Sequence, residues 1–190
     1  MLATMSFLLR RLVFPIGIVL VAFSVNSSAS QQIITDAAVP SVGVMHDIAD
    51  AREKPDPSLH YKLVFNVKEM AENLDEVSPG LEAIGGIINT FRKYGVAENH
   101  LQVVAVFHGP TIVLLARDAT YSHRTGAAKN PNLALLGQLA SAGVQLTVCG
   151  QSARSQHYTI DDLVASAQMN LSATVTFINL QTRGFVKIDL

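Results

Sequence analysis

The 190-residue chain has one cysteine, Cys149, and its surroundings decide what chemistry it could do. It closes the run Val-Gln-Leu-Thr-Val-Cys, in which Val144, Leu146 and Val148 alternate with Gln145, Thr147 and Cys149, the period of a β-strand. Gly150 breaks the run, and Gln151 and Ser152 follow. A thiolate is a nucleophile, and the pKa of a thiol falls when an imidazolium or a helix N-terminus stands beside it. Gly150 would leave room for a ligand atom next to the sulfur. Ser152 and the backbone N–H groups after it could bind an anion or stabilise a persulfide. Against this stands the tendency of free cysteine to serve as a small buried hydrophobe.

Two further sites end apolar runs. Residues 61–67 (YKLVFNV) and 101–107 (LQVVAVF) read as central strands, and they deliver Asn66 and His108-Gly109 to their carboxyl ends. In a doubly wound sheet those ends share one rim with Cys149, and ligands bind there. Neighbouring strands lie about 4.8 Å apart, so His108 and Cys149 could interact if their strands are adjacent or nearly so. His108, ahead of Gly109-Pro110, also fits a turn residue bonded to backbone.

The elements between these strands must position them. Ser78-Pro79 predicts a helix start, with Leu81, Ile84, Ile87, Ile88 and Phe91 on one face, Arg92 and Lys93 in the last turn and Gly95 as the stop. Residues 111–116 predict a helical turn, and polar residues 117–129, with Tyr121, His123 and Arg124, a lid. Asn130-Pro131 repeats the start signal for a helix bearing Leu133, Leu136, Leu139 and Ala140, ended by Gly143. Thr159 predicts the cap of a short helix over residues 160–165. Residues 174–178 have strand propensity and could form a hairpin with a terminal strand over residues 185–190. Alternatively, residues 167–170 form a short strand and residues 172–183 a helix closed by Gly184. A parallel sheet needs a crossover of at least about ten residues, which favours the helix.

The first thirty residues carry Arg10 and Arg11, an apolar run over residues 12–25 and the small, polar Asn26-Ser27-Ser28-Ala29-Ser30, the layout of a cleavable signal peptide. Cleavage after Ala29 or after Ser30 satisfies the small-residue rule. The expected localisation is therefore periplasmic or secreted, with no membrane association after cleavage. Residues 31–60, with Pro40, Pro55 and Pro57, read as an extended arm crossing this subunit's surface or a neighbour's, or as a disordered tether. Removing the leader leaves 12 basic against 15 acidic residues, a net charge of −3 with histidine neutral. With no basic stripe and no tryptophan, nucleic acid is not an expected partner. His46, His60, His100, His123 and His157 show no metal-ligand spacing, and no phosphate loop, dinucleotide fingerprint or nucleophile elbow occurs, so neither metal nor cofactor is expected.

Taken in order, Tyr61-Lys-Leu-Val-Phe, Val104-Ala-Val-Phe-His-Gly-Pro110, Asn130-Pro-Asn132, the run from Gly143 to Ser152 and Leu180-Gln-Thr-Arg-Gly-Phe185 resemble the DsrE/DsrF-like family over roughly residues 61–190. The resemblance implies a compact α/β fold, a three-layer sandwich with a mainly parallel five-stranded sheet, assembled as a homotrimer or homohexamer. It also implies a sulfur-relay role with the persulfide on Cys149, His108 beside it, and a sulfur donor or acceptor protein as partner. Relay members act in the cytoplasm, so the export signal is a departure. A non-catalytic oligomeric small-ligand-binding module, or a partner platform with Cys149 as packing, is the alternative.

Overall fold

The structure, a computed structural model, describes residues 37–190. The expected signal peptide over residues 1–30 and the start of the arm lie outside the described residues.

Five strands form one sheet: β1 (Tyr61–Val67), β2 (Leu101–Phe107), β3 (Gln145–Cys149), β4 (Ala167–Asn170) and β5 (Val186–Asp189), in the order β4-β3-β2-β1-β5. Every pairing is parallel. The two longest strands, β1 and β2, coincide with the continuous apolar runs, as strands covered on both faces must. Their residues divide by parity. Leu63, Phe65, Val67, Val103, Ala105 and Phe107 join the larger core, whereas Val64, Val104 and Val106 join a smaller one with Cys149, Ala173 and Leu180.

The connections determine those layers. The helices are α1 (Pro79–Lys93), α2 (Asp118–Thr125), α3 (Leu133–Ser141), α4 (Gly150–Ser155) and α5 (Ala173–Thr182). From β1 to β4 the chain steps across the sheet in one direction, and Leu81, Ile84 and Ile88 of α1, Leu136 and Leu139 of α3 and Ala153 of α4 pack in the larger core. Reaching β5 from β4 requires a return across the whole sheet. The chain makes that return through α5, which packs Ala173, Phe177 and Leu180 in the smaller core on the opposite face. The helix alternative for this segment is therefore the one realised. Ser172 caps α5, its hydroxyl oxygen accepting the Val175 N–H at 3.1 Å.

Residues 37–60 lie against their own subunit. Val39 is fully buried, and the amide of Asn89 in α1 accepts the Val39 N–H and donates to the Val39 and Val42 carbonyls. Gly85 makes room for this arm, since a Cβ there would stand 3.1 Å from both Val39 and Val42 side chains.

The expected lid holds helix α2 and is anchored through Tyr121 and Arg124. Tyr121 is buried with its hydroxyl donating to the Leu74 carbonyl, and Arg124 lies over the Tyr158 ring while donating to the His157 carbonyl. Asn130 and Asn132 are both buried. Asn130 donates to the Leu114 and Ala116 carbonyls, and Asn132 accepts the Ser78 N–H, so helix α3 starts two residues later than Pro131 suggests.

Candidate functional site

Helices α4 and α5 leave the adjacent strands β3 and β4 toward opposite faces of the sheet, which makes the β3/β4 boundary a topological switch point. Cys149 stands there. Its backbone is extended (φ −70°, ψ 110°) and it is the N-cap of α4, its sulfur accepting the Ser152 N–H at 3.4 Å. Burial, which leaves 5% of the residue exposed, pushes the thiol up. The Ser152 hydroxyl and the backbone N–H groups of Ser152, Ala173 and Gln151 outweigh it, and the net shift is below the ordinary thiol value. Ala173 opens α5, so the backbone N–H groups that lower the thiol come from the starts of two helices.

The β2/β3 register pairs Phe107 with Val148, so His108 and Cys149 are the next residues along two adjacent strands. His108 has extended backbone and so follows Val104 and Val106 onto the α5 face. Its Nε2 lies 2.7 Å from Oδ1 of Asn66, a residue only 7% exposed. The Asn66 amide nitrogen in turn donates to Asp189 on β5, paired with Asn66 in the sheet. Hydrogen bonds from Asn66 and Lys187, with the charges of Lys187 and Lys68, lower the Asp189 carboxyl to about 2.

The model of the DsrE/DsrF-like family matches residues 52–189. The chain belongs to the DsrE/DsrF-like family. A solved structure of a protein of unknown function from Methanobacterium thermoautotrophicum resembles it with a TM-score of 0.50 at 21% identity, covering 68% of this chain and 99% of that one. At that identity the likeness shows the fold alone. No curated protein matches the chain. Membership in the DsrE/DsrF-like family suggests a sulfur-relay role.

Within this family member the residues singled out from sequence divide into two groups. Asn66, His108, Cys149 and Ser152 gather along the carboxyl rim of β1, β2 and β3. Gly109 has φ +56° and its carbonyl accepts from the Gln156 side chain at 2.8 Å, while exposed Gln151 donates to the Leu171 carbonyl at 3.3 Å. The clearance expected at Gly150 is filled: a Cβ there would stand 2.6 Å from the Asn170 carbonyl oxygen. Gly150 lets the first turn of α4 pass the end of β4, and that close approach is its physical requirement.

Sequence reasoning missed Asp189, which carries no local motif, and helix α4, whose Gly-Gln-Ser-Ala-Arg-Ser sequence lacks an apolar period. It also missed a groove of about 280 Å³ between β3, β4 and α5, lined by Thr147, Gln168, Asn170, Thr176, Asn179 and Arg183 among others. Among the described residues no group of three His, Cys, Asp or Glu side chains is placed to hold a metal ion, and no helix is long and apolar enough to cross a membrane.

Proposed function

We propose that this protein takes up sulfur as a persulfide on Cys149 and passes it on. The observation that carries the reading is the cap that Cys149 makes on α4, its sulfur accepting the Ser152 N–H at 3.4 Å, a bond that shifts the thiol toward thiolate. The thiolate attacks the sulfane sulfur of a polysulfide or of thiosulfate. A new S–S bond forms as the donor's S–S bond breaks, and the shorter polysulfide, or sulfite, leaves with the bonding pair. An acceptor thiolate then attacks the outer sulfur and Cys149 leaves as thiolate. In this reading His108 serves the proton traffic, Asn66 and Ser152 line the rim with Cys149, and Gly109, Gly150 and Gln151 hold the backbone around it.

The layout of the first thirty residues supports an exported, periplasmic or secreted protein. Helix α5 supports a homo-oligomer, a trimer or hexamer as family resemblance suggests. Its outer side carries Val175 and Ile178, and Leu171 precedes it on the same stripe, all exposed. A helix apolar on both sides is ordinarily covered on both.

One observation favours a second reading. Cys149 packs with Val64, Val104, Val106, Ala173 and Leu180, the environment of an inert thiol in a non-catalytic ligand-binding module or partner platform. The test is a two-step transfer: the mature protein is exposed to polysulfide, freed of excess and mixed with cyanide. Thiocyanate released by the wild type and absent from Cys149→Ser supports the relay. No release from the wild type, with a small ligand raising the melting temperature of both proteins equally, supports the binding module.

A further inference from the structure

The chain from Asp189 through Asn66 to His108 has a direction that chemistry fixes. Asp189 carries Lys187 Nζ at 3.0 Å and Lys68 Nζ at 3.5 Å on the same oxygen that Asn66 approaches, so it is ionised and can only accept. The Asn66 group facing it is therefore the NH₂, and the group facing His108 is the carbonyl oxygen, 2.7 Å from Nε2. A carbonyl oxygen cannot donate. Nε2 must carry a hydrogen, and in the neutral ring the lone pair is then on Nδ1. Asn66 is 7% exposed, so water does not readily substitute for either partner.

We infer that Asn66 and Asp189 are positioning residues that hold His108 in its Nε2–H tautomer, leaving Nδ1 as the ring nitrogen able to accept a proton, on the strand next to that of Cys149. The use of that proton rests on the persulfide reading; the tautomer does not. With a hydropersulfide donor, His108 takes up on Nδ1 the proton released as the Cys149 thiolate forms. The thiolate attacks the donor's outer sulfur, the donor's S–S bond breaks, and the imidazolium returns the proton to the departing thiolate. The products are a Cys149 persulfide and one free thiol, with no net oxidation.

Asp189→Asn is the sharpest variant, because it changes an exposed side chain and keeps its shape. An amide at that position can donate as well as accept, so Asn66 is freed to turn and His108 to populate both tautomers. Asn66→Ala removes the link outright. The measurement is ¹⁵N NMR of the imidazoles of the full mature chain, with His108 assigned by its loss in His108→Gln, alongside the rate of sulfur uptake from a hydropersulfide. The wild type should show a protonated Nε2 and a bare Nδ1. Both variants should show mixed tautomers and uptake slowed by about tenfold or more, with the helical circular dichroism of the wild type. A wild-type ring protonated on Nδ1, a tautomer unmoved by both substitutions, or an unchanged uptake rate overturns the inference. A wild type that holds the Nε2–H tautomer but takes up no sulfur overturns the persulfide reading and leaves the positioning of His108 standing.

Discussion

The sulfur of Cys149 accepts the backbone N–H of Ser152 at 3.4 Å, so the residue that ends β3 is also the cap of α4. A thiolate accepts such a bond far better than a thiol does, and the Ser152 hydroxyl adds a second donor. Iodoacetamide alkylation of the wild type should therefore have its pH midpoint below that of an ordinary cysteine. Ser152→Ala keeps the N–H but loses the hydroxyl, and its midpoint should move upward. A wild-type midpoint at or above the ordinary value contradicts the direction assigned to this thiol.

Gly150 tests packing at the switch point without touching the sulfur. The added Cβ of Gly150→Ala would meet the Asn170 carbonyl oxygen at 2.6 Å, and backbone on both sides has little freedom to yield. The expected loss is roughly 1–3 kcal/mol by urea denaturation. Unchanged stability would mean that β4 and α4 separate easily, and that the crevice is open to a ligand.

Asn89 anchors the arm. Replacing it by alanine leaves the Val39 N–H and the Val39 and Val42 carbonyls without their partner, with Val39 wholly buried. A loss of about 2 kcal/mol or more is expected, since each buried group left unpaired costs about 1–3 kcal/mol. Limited proteolysis should then cut within residues 37–60 while the sheet domain survives. An arm equally resistant in wild type and Asn89→Ala would show that other contacts hold it.

These residues also show where the sequence was readable. Strands β1 and β2 are visible as unbroken apolar runs because both faces are covered, and the crossover rule selects α5 over a hairpin because β4 and β5 lie on opposite edges of a parallel sheet. Helix α4 has no such signal; it forms because the chain must turn after β3 and Cys149 supplies its cap. Asn66 and Asp189 are 123 residues apart, and only the placement of β5 beside β1 brings them together. The arm left a faint mark in Gly85, a helix-interior glycine that costs about 1 kcal/mol relative to alanine and so hints at a close neighbour.

The exposed stripe on α5 gives the proposed assembly its own test. Ile178 is 58% exposed, so Ile178→Asp should leave the fold intact and convert a homo-oligomer to monomer in sedimentation velocity. A wild type that sediments as a monomer contradicts the assembly. A variant that keeps the wild-type oligomer places the interface elsewhere.

The persulfide itself is tested most directly by the intact mass of the mature protein after incubation with polysulfide and removal of excess, measured beside Cys149→Ser. The account predicts a gain of one sulfur atom in the wild type, removed by dithiothreitol, and no gain in the variant. A wild type that gains nothing, or a variant that gains as much, contradicts it.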